Sequence, residues 1–270
     1  MSTPATPPFP LFHYTTRAGL IGIVGNRTLR ATDILHLNDA SEFTYAVGLC
    51  KAVLVDEFEL ATQDKLLPAV EAFAKGVTWD LDSAVFVTSF SEHDDQLSQW
   101  RAYAGTGGAC IGFHFASLKE PVTKEPFKLV QCVYDEHAQK DMMRALLKRA
   151  AAEVDPDASQ QLLKVLLVQE APAIKHPAFH EEAEWRLVSD ALSVKDPRIE
   201  YRDGVSTIIP FWTIGLGDYP LPISFVRIGP TPDPDLAWLA ARRYLREKID
   251  GLNEFFPIDA KKSAIPYRSW

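Results

Sequence analysis

The chain has 270 residues, 47% of them hydrophobic, and a net charge of −8, which is enough material for one large domain or two small ones. The negative charge argues against a broad nucleic-acid-binding surface, because such surfaces depend on clustered lysine and arginine, but it leaves room for a basic pocket. No apolar run reaches the roughly 20 residues that a membrane span needs, and the first ten residues lack the basic and apolar regions of a secretory signal. The three cysteines sit in apolar stretches without metal-ligand spacing, so we expect buried thiols in a cytoplasmic protein.

The first half of the chain combines short strands with longer helices. The proline-rich residues 1–10 are expected to form a mobile arm. Thr15 or Thr16 can cap the first helix, and Gly25-Asn26 can end it in a left-handed turn. The predicted elements are strands at 11–14, 28–32, 84–90 and 109–115, and helices at 17–24, from a cap at Asn38 or Asp39 to 60, at 64–75 and at 94–103.

The second half is mainly β. The GTGG sequence at residues 105–108, in the first half, follows a helix and enters a strand, which is the reverse of a phosphate-binding βαβ unit. Helices grouped early and strands grouped late indicate the α+β class. We therefore predict one domain over residues 11–270, with a central, mostly antiparallel sheet and helical insertions. The remaining predicted elements are strands at 127–134, 182–189, 198–202, 206–210, 223–228 and 255–259, and helices at 136–153, 158–171 and 232–249.

Two strands and one helix carry polar or aromatic residues that are candidates for a site. His13 and Tyr14 alternate along the first strand, so one faces the core and the other the opposite side. Ser89 and Ser91 lie two apart at the end of a buried strand, so both hydroxyls can point to one face. A structural role for each of these residues is the commoner explanation. The rings of the next helix, three apart and therefore on one side, are Trp100 and Tyr103.

The segment HEEAEWRLV carries the strongest candidate. As a strand it places Glu182, Glu184 and Arg186 on one face, opposite an apolar face. Two carboxylates and a guanidinium in a row are costly to bury unless they face water or a polar cleft. One interpretation is a surface ion-pair ladder; the other is a general base or cation stabiliser, with the arginine orienting the acid or holding an anion. The other arginines in extended segments, which together could neutralise a phosphate-bearing ligand, are Arg202, Arg227 and Arg268.

The motifs FHYTT, HLNDASEF, SFSEHDDQLSQWRAYAGTGG, HPAFHEEAEWRLV and IPYR resemble, in this order and spacing, a bacterial family known as a domain of unknown function. That resemblance covers residues 11–268 and implies no activity. The opening HYTTRAGLIGIVGNRTL is in addition similar to the start of ADP-ribosyltransferase-like proteins, including DNA-targeting toxins. This second, more distant resemblance implies an ADP-ribosyltransferase-like fold and NAD as the substrate. The chain departs from it in having neither the middle-strand tyrosine of the histidine-type enzymes nor the first-strand arginine of the arginine type.

The second resemblance also implies a role for each candidate residue. His13 would contact the NAD ribose, Ser89 or Ser91 would hold the middle-strand position, and Glu184, paired with Glu182, would be the catalytic glutamate. Such a carboxylate would stabilise the oxocarbenium-like state that forms when the nicotinamide–ribose bond breaks. The other implied nucleotide contacts, with rings stacking and arginines offsetting the pyrophosphate, are Tyr14, Thr15, Trp100, Tyr103, Arg186, Arg202 and Arg268.

Three functions follow as hypotheses. The first is an NAD-using transferase or glycohydrolase, an effector of a toxin or phage-defence system that acts on a small-molecule nucleotide and a macromolecular acceptor. The second is a module that binds a nucleotide or a nucleic-acid end without turnover. The third is a metal-dependent nuclease using Asp94, Asp95, Glu182 and Glu184, which is weakened by the lack of regular acid-ligand spacing. We predict no metal site and no membrane partner.

Overall fold

The computed structural model of the chain describes residues 10–37, 40–74, 83–114, 126–204, 206–217, 221–249 and 258–267. Six predictions reach residues outside these ranges: the mobile arm up to residue 9, the helix cap at Asn38 or Asp39, the last residue of the helix expected at 64–75, the last residue of the strand expected at 109–115, the start of the strand expected at 255–259, and the ligand contact at Arg268.

Strands and helices follow the order that the apolar pattern predicts. The strands are β1 (Leu11–Thr15), β2 (Thr28–Asp33), β3 (Ser83–Ala84), β4 (Phe86–Ser91), β5 (Ala109–Phe113), β6 (Phe127–Gln131), β7 (Glu184–Ser189), β8 (Leu192–Ser193), β9 (Ile199–Asp203), β10 (Ile208–Gly215), β11 (Ile223–Ile228) and β12 (Asp259–Lys262). The helices are α1 (Arg17–Asn26), α2 (Ala40–Glu57), α3 (Leu60–Ala74), α4 (Leu97–Gln99, continued by a π-helical turn at Trp100–Ala104), α5 (Glu136–Ala151), α6 (Pro156–Glu170) and α7 (Pro234–Ile249).

Ten strands in the described part of the chain form one large sheet. Its order is β12-β11-β5-β1-β4-β2-β10-β9, with β7 pairing with β4 and β6 pairing with β7. Every pairing in this sheet is antiparallel except that of β11 with β12. The α+β class and the mostly antiparallel sheet are therefore confirmed.

The sheet forks at β4, which pairs with three strands. β7 pairs with β4 along Val87–Ser91, so β1 and β2 share the other edge. β1 takes one end of that edge, with Phe12 opposite Ser91, and β2 takes the other end, with Thr32 opposite Val87. Because β1 and β2 diverge, side chains must satisfy part of the backbone between them. Thr88 does so by donating a hydrogen bond from its hydroxyl to the carbonyl of Arg30, at 3.0 Å.

The two faces of the forked sheet carry separate hydrophobic cores. On one face, Phe86, Phe90 and Trp185 pack in a core that also includes residues of α1 and α7. On the other face, Val87 and Val188 pack in a core shared with α2, α3, α5 and α6. A third, smaller cluster, on the same face as Val87 but near the fork, contains Phe12, Tyr14, Trp100, Ala104 and Cys110.

Local sequence explains several helix starts. Thr16 caps α1 by accepting a hydrogen bond from the Gly19 amide at 3.1 Å, as predicted. Asp135 and Asp155 cap α5 and α6 in the same manner, because a short acidic side chain can reach the free amides of the first turn. All three cysteines are buried free thiols, as expected. None of the helices in the described ranges is long and apolar enough to cross a membrane.

Several element boundaries differ from the predictions, and local contacts explain three of them. α1 ends at Asn26, two residues beyond the predicted end at residue 24, and Arg27 rather than Gly25-Asn26 adopts the left-handed conformation, at φ 55°. The helix expected from residue 94 begins only at Leu97, because the Asp94 and Asp95 carboxylates bond to other segments. The strand expected from residue 182 begins at Glu184, because a 3₁₀ helix, Pro177–Glu182, precedes it and ends at Ala183, which has φ 41°.

Candidate functional site

A small polar cavity of about 70 Å³ lies at the fork of the sheet. Strands β1 and β4, the start of β7 and the turn after α4 all contribute side chains to its wall. Seven residues that the sequence nominates for the site therefore lie together, although they are as far apart as 171 positions in the chain. They are His13, Tyr14, Ser89, Ser91, Tyr103, Glu182 and Glu184, joined by Phe12, Phe90 and Gln99.

His13 is held as a neutral imidazole by the fork. Its Nδ1 lies 2.9 Å from the carbonyl oxygen of Ser89, and since a carbonyl can only accept, Nδ1 carries the proton. Burial lowers the pKa of His13 from its ordinary value of 6.5, and the hydrogen bond to Ser89 only partly offsets this. The Nε2 atom therefore keeps its lone pair, so the ring can accept a proton or a hydrogen bond.

Glu184 is a buried carboxylate held by two cations. Its side chain is 7% exposed, and Arg186 grips it with two hydrogen bonds, from Nε to Oε1 at 2.7 Å and from Nη2 to Oε2 at 2.9 Å. The ammonium of Lys175 also donates to Oε2. The Glu184 backbone amide donates to the hydroxyl of Tyr134 at 2.9 Å. The surface-ladder interpretation of this strand is therefore wrong, because these charges lie inside the protein.

The two cations decide the protonation state of Glu184. Burial by itself would raise the pKa of this carboxyl, but the charges of Arg186 and Lys175 outweigh burial and lower the pKa to about 2. Burial by itself would lower the pKa of Lys175, but the carboxylates of Glu184, Glu42 and Glu182 outweigh burial and raise it. Glu184 is thus ionised at every physiological pH, which suits it to stabilise a cation and makes it a poor general base.

The segment between β4 and α4 closes one side of the cavity. Tyr14 donates from its hydroxyl to the His93 carbonyl at 2.8 Å and accepts from the Gln96 amide at 3.0 Å. Ser91 donates to the Glu182 carbonyl at 2.8 Å. Both side chains thereby fix the backbone around the cavity. Tyr103 is the most exposed of the lining residues, at 37%. The part of its side chain that is buried, together with the nearby Glu182 charge, raises its pKa to about 12.

Three of the expected nucleotide contacts do not line this cavity. Thr15 packs on α1, with its hydroxyl where a Cβ of Gly19 would be. Arg202 is exposed on β9, three strands away from β4. Arg186 is buried behind Glu184, where its remaining donors bond to the Pro172 carbonyl and Glu42.

Trp100 also lies apart from Tyr103, contrary to the prediction that their rings share a side. The turn that contains both is π-helical, closed by a hydrogen bond from the Gly105 amide to the Trp100 carbonyl, so the 3.6-residue spacing does not apply. Trp100 donates from its indole to Asp95 at 2.8 Å and packs edge-on against Tyr14. It lines a different, larger cavity of about 500 Å³, whose other walls include Leu97, Arg101, Pro230, Ile265 and Tyr267.

Sequence reasoning missed two residues of the charged cluster, Lys175 and Glu42. Lys175 is 2% exposed, and Glu42 is 9% exposed and receives a hydrogen bond from Arg186 at 2.6 Å. Glu42 follows the predicted cap at Asn38 or Asp39 by three or four residues, where an acid is typical of a helix start, and Lys175 lies outside the candidate motifs. A lysine inside the apolar stretch APAIKHPAF is the signal that was available, since a lysine is rarely fully buried unless it is paired.

The comparisons with known proteins agree with one of the two resemblances. Residues 99–187 match a family described as "Protein of unknown function (DUF2971)". This segment runs from α4 to β7 and contains Tyr103, Lys175, Glu182, Glu184 and Arg186. The resemblance to a family of unknown function is therefore supported over this part of the chain. No curated protein matches the chain, and no solved structure matches it.

Proposed function

We propose that the protein is an NAD-using enzyme of the ADP-ribosyltransferase-like kind, which breaks the nicotinamide–ribose bond with Glu184 as its catalytic carboxylate. The observation that carries this proposal is a buried glutamate, held by Arg186 and Lys175, in the wall of a cavity that also contains the imidazole of His13. Both the toxin or phage-defence setting and NAD itself come from the resemblance of the first strand and helix.

The electrostatics of the cavity suit this bond cleavage. As the bond to nicotinamide lengthens, positive charge grows on the ribose, and a fixed carboxylate stabilises that charge more than it stabilises the substrate. Glu184 needs no reorganisation to do this, because Arg186 and Lys175 already hold it. The Nε2 of His13 and the hydroxyl of Tyr103 offer groups that can hold ribose hydroxyls, with Ser89 beside them.

The cavity limits what can enter it. Its volume of about 70 Å³ is below the roughly 300–1,000 Å³ of most ligand sites, so the proposal requires Tyr103 to move outward when NAD binds. None of the described residues that line the cavity is an arginine or a lysine. The proposal therefore assigns the ribose and nicotinamide to this cavity and no pyrophosphate contact to it.

A second function, binding a nucleotide without turnover, is favoured by one observation. Both oxygens of Glu184 already accept hydrogen bonds from Arg186 or Lys175, as they would in a purely structural ion pair. The metal-dependent nuclease gains no such support. The carboxylates of Glu42, Glu182 and Glu184 surround the ammonium of Lys175, and the described residues contain no group of three or more side chains arranged to hold a metal ion.

Nicotinamide release from NAD tests the proposal. We expect the purified protein to release nicotinamide, alone or with an added protein or nucleic-acid acceptor, and Glu184→Gln to slow the release by about 10²–10³-fold. Glu181→Gln is the matched control, since this neighbouring side chain is exposed and its rate should equal that of the wild type. Binding of NAD without release under all conditions would support the second function, and equal rates for the two variants would refute the role of Glu184.

A further inference from the structure

Lys175 occupies the centre of the charged cluster behind the cavity. We propose that Lys175 is a positioning residue, which fixes the carboxylate of Glu184 at the cavity wall; this inference rests on the proposed function. Lys175 contacts neither the cavity nor a reacting atom, and acts only through Glu184.

The ammonium of Lys175 is surrounded by three carboxylates. It donates hydrogen bonds to Glu182 Oε2, at 2.6 Å, and to Glu184 Oε2. Its Nζ also lies 3.2 Å from Glu42 Oε1, as an ion pair. These three contacts together restrain the ammonium, and with it the Oε2 atom of Glu184.

The helices next to the sheet hold Lys175 through its backbone. Gln139 of α5, which is fully buried, donates to the carbonyl of Lys175 at 2.7 Å and to that of Val133 at 2.6 Å. Tyr45 of α2 donates in turn to Gln139 at 2.8 Å. The Lys175 amide donates to the Val133 carbonyl at 3.2 Å. Helix α2 thus supplies Glu42, and the segment between α6 and β7, held by α5, supplies Lys175 to Glu184 on the sheet.

Lys175 and Arg186 do different work on the same carboxylate. Arg186 donates hydrogen bonds to both oxygens of Glu184 and to Glu42. Lys175 donates to Glu184 and Glu182 and forms an ion pair with Glu42. Three carboxylates meet two cations, so the cluster holds one excess negative charge. Without Lys175 three carboxylates would share one cation, and their repulsion would favour protonation of one of them.

Other titratable groups also face the Glu184 carboxylate. A change in the pH dependence of nicotinamide release must therefore be distinguished from the titration of these groups. Cys132 and Tyr134 are shielded by burial, which raises the pKa of both well above neutral. The groups that face Glu184 are Glu42 from α2, Cys132 and Tyr134 after β6, Lys175 and Glu182 before β7, Arg186 from β7, and Tyr103 from the turn after α4.

The test replaces Lys175 while keeping the charge of the cluster. Lys175→Met combined with Glu42→Gln leaves two carboxylates and one cation, so the excess charge of the wild type is kept and the folded state is protected. Relative to Glu42→Gln alone, we expect nicotinamide release to fall about 10–100-fold, by analogy with residues that orient metal ligands, and the acid limb of the pH–rate profile to move to higher pH. Lys175→Arg should recover part of the rate.

A second readout does not need activity. Carbon-detected NMR titration of the Glu184 carboxyl should show its midpoint about 1–3 pH units higher in the double variant than in Glu42→Gln, since a nearby opposite charge has been removed. An unchanged midpoint, or a double variant with the rate and pH profile of Glu42→Gln, would overturn the role of Lys175. If the wild type releases no nicotinamide while the midpoint moves as expected, the proposed function fails and the contact from Lys175 to Glu184 stands.

Discussion

At the scale of single residues, the site depends on side chains whose charge is set by their surroundings. His13 and Glu184 illustrate opposite cases. Burial keeps His13 neutral and its pKa below 6.5, whereas two cations overcome burial and keep Glu184 charged. Both residues line the cavity, so it combines an ionised carboxylate with an uncharged imidazole.

The lowered pKa of His13 predicts a pH-dependent stability. Between its folded-state pKa and about 6.5 the unfolded chain binds more protons at this residue, so its contribution is complete above 6.5 and is lost as the pH falls below that value. His13→Asn should therefore show a smaller decrease in the free energy of unfolding between pH 7 and pH 5 than the wild type, measured by urea denaturation. His137→Asn, at a side chain 81% exposed, should keep the wild-type slope, and an equal slope in His13→Asn would contradict the assignment.

At the scale of elements, β4 is the strand on which the site is assembled. It pairs with β1, β2 and β7, and the cavity is lined by residues of β1, of β4 and of the start of β7. Side chains rather than ladder hydrogen bonds join the strands at this point, through Thr88 and His13. The fork therefore places the His13 imidazole against a backbone carbonyl, and His13 and Glu184 both line the cavity.

Thr88→Val tests the side-chain bridge at the fork. Thr88 is 2% exposed and its hydroxyl reaches the Arg30 carbonyl, so the change leaves a carbonyl without this partner and should cost about 1–3 kcal/mol of unfolding free energy. Thr207→Val, at an exposed position, should change it by less than about 0.5 kcal/mol. Chemical denaturation of both variants measures the difference, and equal stabilities would show that the fork does not need this bond.

At the scale of the whole molecule, one sheet is shared by two hydrophobic cores. The strands β4 and β7 send Phe86, Phe90 and Trp185 into one core and Val87 and Val188 into the other. Because neither core can lose these strands without exposing the other, the layers should unfold together. The same sharing explains how α2 and the segment after α6 can deliver Glu42 and Lys175 to a site on the sheet.

A pair of core variants tests this coupling and the single-domain prediction. Leu147→Ala in the helical layer and Leu29→Ala in the opposite core, both at almost fully buried positions, should each destabilise the protein by about 2–5 kcal/mol. Each should shift one common unfolding transition, followed by circular dichroism and by tryptophan fluorescence. Two separate transitions, with each variant moving only one, would instead mean two independent domains.

The sequence by itself determined the class of fold, most elements and the residue types of the site. Strand alternation and helix caps are local properties, so the positions of Ser89, Ser91 and Glu184 on their strands follow from neighbours in the chain. The prediction that the rings of Trp100 and Tyr103 share a side was wrong, because a π-helical turn replaces the helical spacing on which it depended.

Only the tertiary structure decided which charges meet. Lys175 and Glu42 are 133 positions apart, and nothing in either segment specifies the other; their contact exists because α2 packs beside the segment that precedes β7. The tertiary structure also removed Arg202 from the site by placing it on β9. Burial and the neighbouring charges, which exist only after folding, set the ionisation of Glu184 and His13.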